Sequence, residues 1–148
     1  MIPEFDENGN LPPGIHWATY EQFVERFGIT ERRLLMIQGL QLAMEQLKAA
    51  GCRTIYIDGS FITNKINPKD FDACWEPGDV DLDYLRINAP RLFNYTDSAA
   101  QKAKYKGEIF RADQPVGNYG LTSLDFFQRD REKNPKGIIA IDLVRWYP

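Results

Sequence analysis

Residues 53–75 read Arg-Thr-Ile-Tyr-Ile-Asp-Gly-Ser-Phe-Ile-Thr-Asn-Lys-Ile-Asn-Pro-Lys-Asp-Phe-Asp-Ala-Cys-Trp, and the fold is decided here. Arg53 to Asp58 has the β-branched and aromatic content of a strand, and Gly59-Ser60 ends it. Asp70 to Trp75 reads as a second strand. Its period of two sends Asp70, Asp72 and Cys74 to one face and Phe71, Ala73 and Trp75 to the other. Two carboxylates on one strand face repel each other, and both stay ionised only beside a cation. Hard divalent cations take oxygen ligands, so Asp70 and Asp72 form a natural metal site.

Outward from this pair, the strands alternate with helices. Glu31 to Ala50 is the clearest helix, with Thr30 as N-cap, Glu31 at the positive dipole end and Gly51 at the left-handed stop. Leu34, Ile37, Leu40, Met44 and Leu47 are its expected buried stripe. Trp17 to Phe27 reads as a shorter helix ended by Gly28. Residues 1–16, with Pro3, Gly9, Pro12, Pro13 and Gly14, read as an extended arm. Short helices are expected near Asp81 to Leu85, Asp97 to Lys106 and Thr122 to Arg131, although most of 76–120 shows no clear periodicity. Ile138 to Val144 reads as a buried last strand. The expectation is an α+β chain, one domain over residues 1–148, with a mixed sheet and helices packed on it.

Composition narrows the function. Hydrophobic residues at 43% and charged residues at 26% suit a globular chain rather than a disordered one. A net charge of -3 gives no global basic field, so long nucleic acid is an unfavoured partner. No apolar run reaches membrane-spanning length, so no membrane is expected. Cys52 and Cys74 lack a CxxC spacing and read as reduced thiols in a cytoplasmic protein. The single histidine, His16, offers neither a zinc cluster nor a triad. Asp79, Asp81 and Asp83 alternate as in a calcium loop, but Tyr84 and Pro90 stand where such a loop needs Gly and Glu. Lys102, Lys104 and Lys106 alternate on a helix and so share no face, as on a solvated surface. In Ile141-Asp142-Leu143 an acid interrupts an apolar strand, and a buried carboxylate there needs a partner.

Gly59-Ser60, the spacer 61–69, Asp70-Phe71-Asp72 and a later Asp142 together resemble the signature of the nucleotidyltransferase superfamily. That resemblance implies a nucleotidyltransferase-like sheet. Asp70, Asp72 and Asp142 would be the catalytic and metal-binding triad, and the cofactor Mg²⁺, with Mn²⁺ as the alternative. Gly59 and Ser60 would hold the phosphates of an NTP, and Lys65 and Lys69, inside the spacer, are further phosphate candidates. The chain is also similar to a bacterial family of small nucleotidyltransferase-like proteins. The likeness is carried by Leu11-Pro12-Pro13-Gly14-Ile15-His16, Ala50-Gly51-Cys52, Ile57-Asp58-Gly59-Ser60-Phe61, Asp125-Phe126-Phe127-Gln128 and Lys136-Gly137-Ile138. The functional analogues are minimal nucleotidyltransferases that act as antitoxins. The implied function is transfer of a nucleoside monophosphate to a hydroxyl on protein, RNA or a small molecule, with a cognate toxin as a protein partner. The alternative is a catalytically silent, partner-binding antitoxin-like module on the same fold.

Overall fold

The computed structural model describes residues 1–117 and 120–148. Its main sheet has five strands in the order β1 (Gly14–Ala18), β7 (Gly137–Asp142), β2 (Thr54–Asp58), β3 (Phe71–Trp75) and β4 (Gly107–Arg111). β1 runs parallel to β7 and β4 parallel to β3, while β2 is antiparallel to both its neighbours. Among the described residues five α-helices accompany it: α1 (Tyr20–Phe27), α2 (Glu31–Ala49), α3 (Leu82–Asn88), α4 (Ser98–Tyr105) and α5 (Ser123–Phe127). A two-stranded ribbon of β5 (Pro115–Val116) and β6 (Leu121–Thr122) precedes α5. The α+β class and mixed sheet are as expected. No helix among the described residues is long and apolar enough to cross a membrane.

The helix ends follow their sequence signals. The Thr30 side chain accepts the Arg33 N–H, and Thr19 forms a capping box with Gln22. After α2, Cys52 N donates to Leu47 O and Gly51 N to Lys48 O, with Gly51 at φ 92°. That is a Schellman stop, which a residue with Cβ would strain. Several boundaries differ from the expectations; β3, for one, begins at Phe71 and leaves Asp70 just outside it. Residues 14–16 are not arm but strand. Trp17 and Ala18 join them, so α1 starts only at Tyr20. β1 is an edge strand with three of its five side chains exposed, so it carries no apolar alternation to announce it. The helix expected to reach Arg131 stops at Phe127, because Asp130 Oδ1 accepts the N–H groups of Glu132 and Asn134, both at 2.9 Å, and turns the chain. β7 ends at Asp142 rather than Val144. Leu34, placed in the buried stripe, is exposed at 42%, whereas Met36, Ala43 and Gly39 face inward.

The two sheet faces differ. Ile55, Ile57, Phe71, Ala73, Trp75, Ile109, Ile139 and Ile141 pack with α1 and α2 into the main core. The opposite face carries a smaller cluster of Tyr56, Cys74, Ile138 and Ala140 under Ala112 and Phe127. Beyond that cluster the face is open, and there the acids lie. Gly39 lets α4 approach α2, since a Cβ at that position would sit 2.1 Å from Tyr105 O. Gln101 then ties α4 to the outer edge of β4. Its Oε1 accepts Ile109 N–H and its Nε2 donates to Ile109 O, both at 2.9 Å. This side chain occupies an edge that would otherwise offer backbone groups to another strand.

The spacer between β2 and β3 is anchored by α2. Arg33, 1% exposed, donates to the carbonyls of Phe27, Phe61, Thr63 and Lys65, and its guanidinium stacks over Phe61 at 4.8 Å. Arg32 Nε reaches Pro68 O at 2.8 Å. Removing a buried charge leaves its hydrogen-bond partners desolvated and unpaired, a cost of a few kcal/mol. Arg33→Met should therefore lower unfolding free energy by about 3 kcal/mol. Arg33→Lys should recover only part of that loss, because one ammonium cannot span four carbonyls. Arg32→Ala, at an exposed position, should cost about 1 kcal/mol or less. Urea titrations of the three variants check this order. Equal stability of Arg33→Met and wild type would refute the anchor.

Candidate functional site

Sheet register brings three acids into one row. Asp58, the last residue of β2, pairs with Asp72 of β3, and Asp72 pairs with Glu108 of β4. All three project from the open face, and Asp70, just before the start of β3, lines the same cleft. Asp58 is buried at 3% exposure, while the side chains of Asp70 and Glu108 are about a third exposed or less, at 31% and 27%. An open cleft of about 530 Å³ contains these four acids together with Gly59, Ser60, Phe110, Phe126, Arg129, Arg131 and Lys136.

Gly59 closes over the row. Its φ is 86°, and a Cβ there would stand 2.8 Å from Asp72 Oδ2. Only glycine brings backbone this near to the carboxylate at such a dihedral. Ser60 opens a 3₁₀ turn, Ser60–Ile62, and lines the same cleft.

Two lysines supply counter-charge. Lys102 Nζ lies 3.3 Å from both Asp70 Oδ2 and Glu108 Oε1, and Lys136 Nζ lies 3.1 Å from Asp58 Oδ1. The Lys136 ammonium is the partner of Asp58 Oδ1, which is otherwise buried without a hydrogen bond. Asp72 has no lysine of its own. Burial, and after it the charges of Asp58, Glu108 and Asp70, push its carboxyl up to about 7. Burial also pushes Asp58 up to about 6, against the opposing pull of Lys136 and the Gly59 N–H. Behind the acids, burial raises the Cys74 thiol well above its ordinary value, which keeps it protonated and inert. Among the described residues no three or more histidine, cysteine, aspartate or glutamate side chains are arranged to hold a metal ion. The donor set is nonetheless all oxygen and short of positive charge, which suits a hard divalent cation.

Of the three acids expected to converge, Asp142 stands apart from Asp70 and Asp72. Asp142 pairs with Thr54 at the far end of β2, four residues along the strand from Asp58, or roughly 13 Å at the rise of a strand. It lies in a different cleft, lined by Trp17, Tyr20, Arg145 and Trp146. There its Oδ1 accepts the Val144 N–H at 2.9 Å and its Oδ2 faces Arg145 at 3.6 Å. Its side chain is 41% exposed, so no metal is needed to satisfy it. Lys65 is exposed and lines neither cleft. Lys69 is exposed and lines a small basic pocket of about 190 Å³ with Arg32, Lys102 and Lys106, next to Asp70. Lys102 is no idle surface lysine, because it bridges two acids.

Asp58, Glu108 and Lys136 escaped the sequence reading. Asp58 had a usable signal, an acid directly before Gly-Ser at the end of an apolar strand. Glu108, in the unassigned middle, had none.

Residues 3–142 match the model of a family described as a family of unknown function (DUF6932). No curated protein and no solved structure matches the chain.

The raised carboxyls make a pH prediction. Aspartate in an unfolded chain titrates near 3.9. With Asp72 at about 7 and Asp58 at about 6 in the folded state, the native protein binds more protons than the unfolded chain between these limits. Their contribution is thus full below about pH 4 and lost as pH rises to about 7. Asp72→Asn removes the larger shift. In EDTA, its stability relative to wild type should increase from pH 4 to pH 7 and then level off. The gain at pH 8 should be on the order of 4 kcal/mol, the equivalent of a shift of about three pH units. Urea unfolding of both proteins across this range measures it. A difference that is flat with pH would mean that Asp72 ionises freely in the fold.

Proposed function

The chain belongs to this family of unknown function, and we propose from its own site that it is a metal-dependent nucleotidyltransferase, moving a nucleoside monophosphate from an NTP to a hydroxyl group. The observation that carries the reading is the close approach of Gly59 to Asp72 beneath an open cleft, with Asp70 and Glu108 lining the same cleft. A backbone turn that admits phosphate directly above clustered carboxylates is what such a transfer needs.

Asp70, Asp72 and Glu108 are the residues that would hold Mg²⁺ or Mn²⁺. When bound, the cation supplies charge neutralisation and polarisation at the α-phosphate. The chain's own groups do the rest. Gly59 leaves room for the phosphate and Ser60 offers a hydroxyl to it. Lys136 keeps Asp58 paired at the cleft wall, and Lys102 stands ready to neutralise the leaving pyrophosphate. Glu108, in the third acid position instead of Asp142, accepts the proton of the attacking hydroxyl. The acceptor oxygen then bonds to the α-phosphorus, and the bond to the bridging oxygen of pyrophosphate breaks. The acceptor is a protein, RNA or small-molecule hydroxyl. The net charge of -3 favours a protein, such as a cognate toxin, over long nucleic acid.

One observation favours the silent, partner-binding alternative. Lys102 and Lys136 between them pair with Asp70, Glu108 and Asp58, so the protein already neutralises much of its acid row. Transfer of radiolabel from each α-labelled NTP, with Mg²⁺ or Mn²⁺ and with the product of the neighbouring gene, separates the two. We expect transfer by wild type. Asp72→Asn and Glu108→Gln should lose about a hundredfold or more. Asp142→Asn, at the far end of the strand, should stay within about twofold, as for a residue outside the reacting centre. Wild type inactive under all these conditions would leave the binding module.

A further inference from the structure

The cleft over the acids continues into a second one. Phe126, Arg129, Asp130 and Arg131 line both, and the second, of about 620 Å³, adds Val116, Leu121 and Lys133. Its walls are therefore apolar, its rim is cationic, and one end opens onto carboxylates. Phe126 is 52% exposed, unusual for a phenylalanine whose neighbour Phe127 is in the core. It packs against Phe127 at 6.3 Å between ring centres, leaving a face bare. Among the described residues no carboxylate pairs with Arg129, Arg131 or Lys133. Of the two acids interleaved with them, Asp130 turns its Oδ1 to the backbone N–H groups of Glu132 and Asn134, and Glu132 forms an ion pair with none of the three.

A ligand that uses the whole length must be planar and apolar at one end. It must be anionic in the middle, and able to face acids at the other end. A nucleotide matches all three requirements. Its base stacks on an exposed aromatic ring, its phosphates meet guanidinium groups, and its phosphate end approaches the acid row. We propose, resting on the transferase reading above, that the Phe126–Arg131 wall is the nucleotide seat. The base lies on Phe126 against the paired Val116 and Leu121 of the ribbon, and Arg129 and Arg131 hold the phosphates on their way to the acids. The seat belongs to the excursion between β4 and β7, not to the Gly-Ser turn. The excursion is therefore a substrate-binding element.

Calorimetry with ATP and with inorganic tripolyphosphate, each in EDTA and in Mg²⁺, tests it. Phe126→Ala should weaken ATP tenfold or more and leave tripolyphosphate within twofold. The double variant Arg129→Ala, Arg131→Ala should weaken both by at least tenfold. Phe126 and the arginines are at the surface, so circular dichroism should show folded variants. Unchanged ATP affinity in Phe126→Ala, or an equal loss for ATP and tripolyphosphate, would overturn the seat. If ATP then still supports transfer that Asp72→Asn abolishes, the transferase reading survives. ATP binding that depends on Phe126 without any transfer keeps the seat and ends the transferase. Binding of neither compound by wild type removes both.

Discussion

Arg33 is the constraint on which the site depends. A guanidinium at 1% exposure with no carboxylate beside it is costly, and it is tolerated because four carbonyls and the face of Phe61 surround it. Three of those carbonyls belong to residues 61–65, a stretch with almost no regular structure of its own. Backbone that would otherwise wander is fixed at one end by β2 and in its middle by α2. Arg32 adds a hold at Pro68. The turn at Gly59-Ser60 and the entry to β3 at Asp70 are thereby set relative to each other. The same helix, through Gly39, seats α4 at the depth where Gln101 grips β4 and Lys102 meets Asp70 and Glu108. One helix thus positions both the turn above the acids and the lysine beside them.

The acid row itself works against the fold. Asp58 and Asp72 are neighbours across a strand pair, and like charges directly opposite are destabilising. Burial compounds this, yet the positions hold carboxylates rather than the apolar or amide side chains that would suit the sheet better. Lys136 and Lys102 offset part of the strain. What is left is a row of carboxylates that costs the fold stability and would gain it back from added positive charge.

What could be read from sequence was what local chemistry writes. The Thr30 cap, the Gly51 stop, and the shared strand face of Asp72 and Cys74 each follow from a few adjacent residues, and each appears in the structure. Asp142 shows the limit. Period-two alternation tells which face a side chain takes but not which way its strand runs. Because β7 is antiparallel to β2, Asp142 is carried to the opposite end of the sheet from Asp58. Glu108 shows the converse. It reaches the row only through the parallel pairing of β3 with β4, a contact between distant segments that no local pattern announces. β1 was missed because an exposed edge strand has no buried face to imprint on its sequence.

The place of β7 has a consequence for the order in which the molecule assembles. It is an interior strand, hydrogen-bonded to β1 on one side and β2 on the other. Ile15 meets Ile138 in this ladder, a pairing that spans roughly 120 residues and so carries a high loop-closure cost before it returns any energy. During synthesis, β2, β3 and β4 can pair as they emerge, but β1 has no partner and β2 keeps an open flank until residues 137–142 leave the ribosome. Until then the nascent chain carries unpaired edges on β1 and β2, and they are sealed together by the insertion of a single strand.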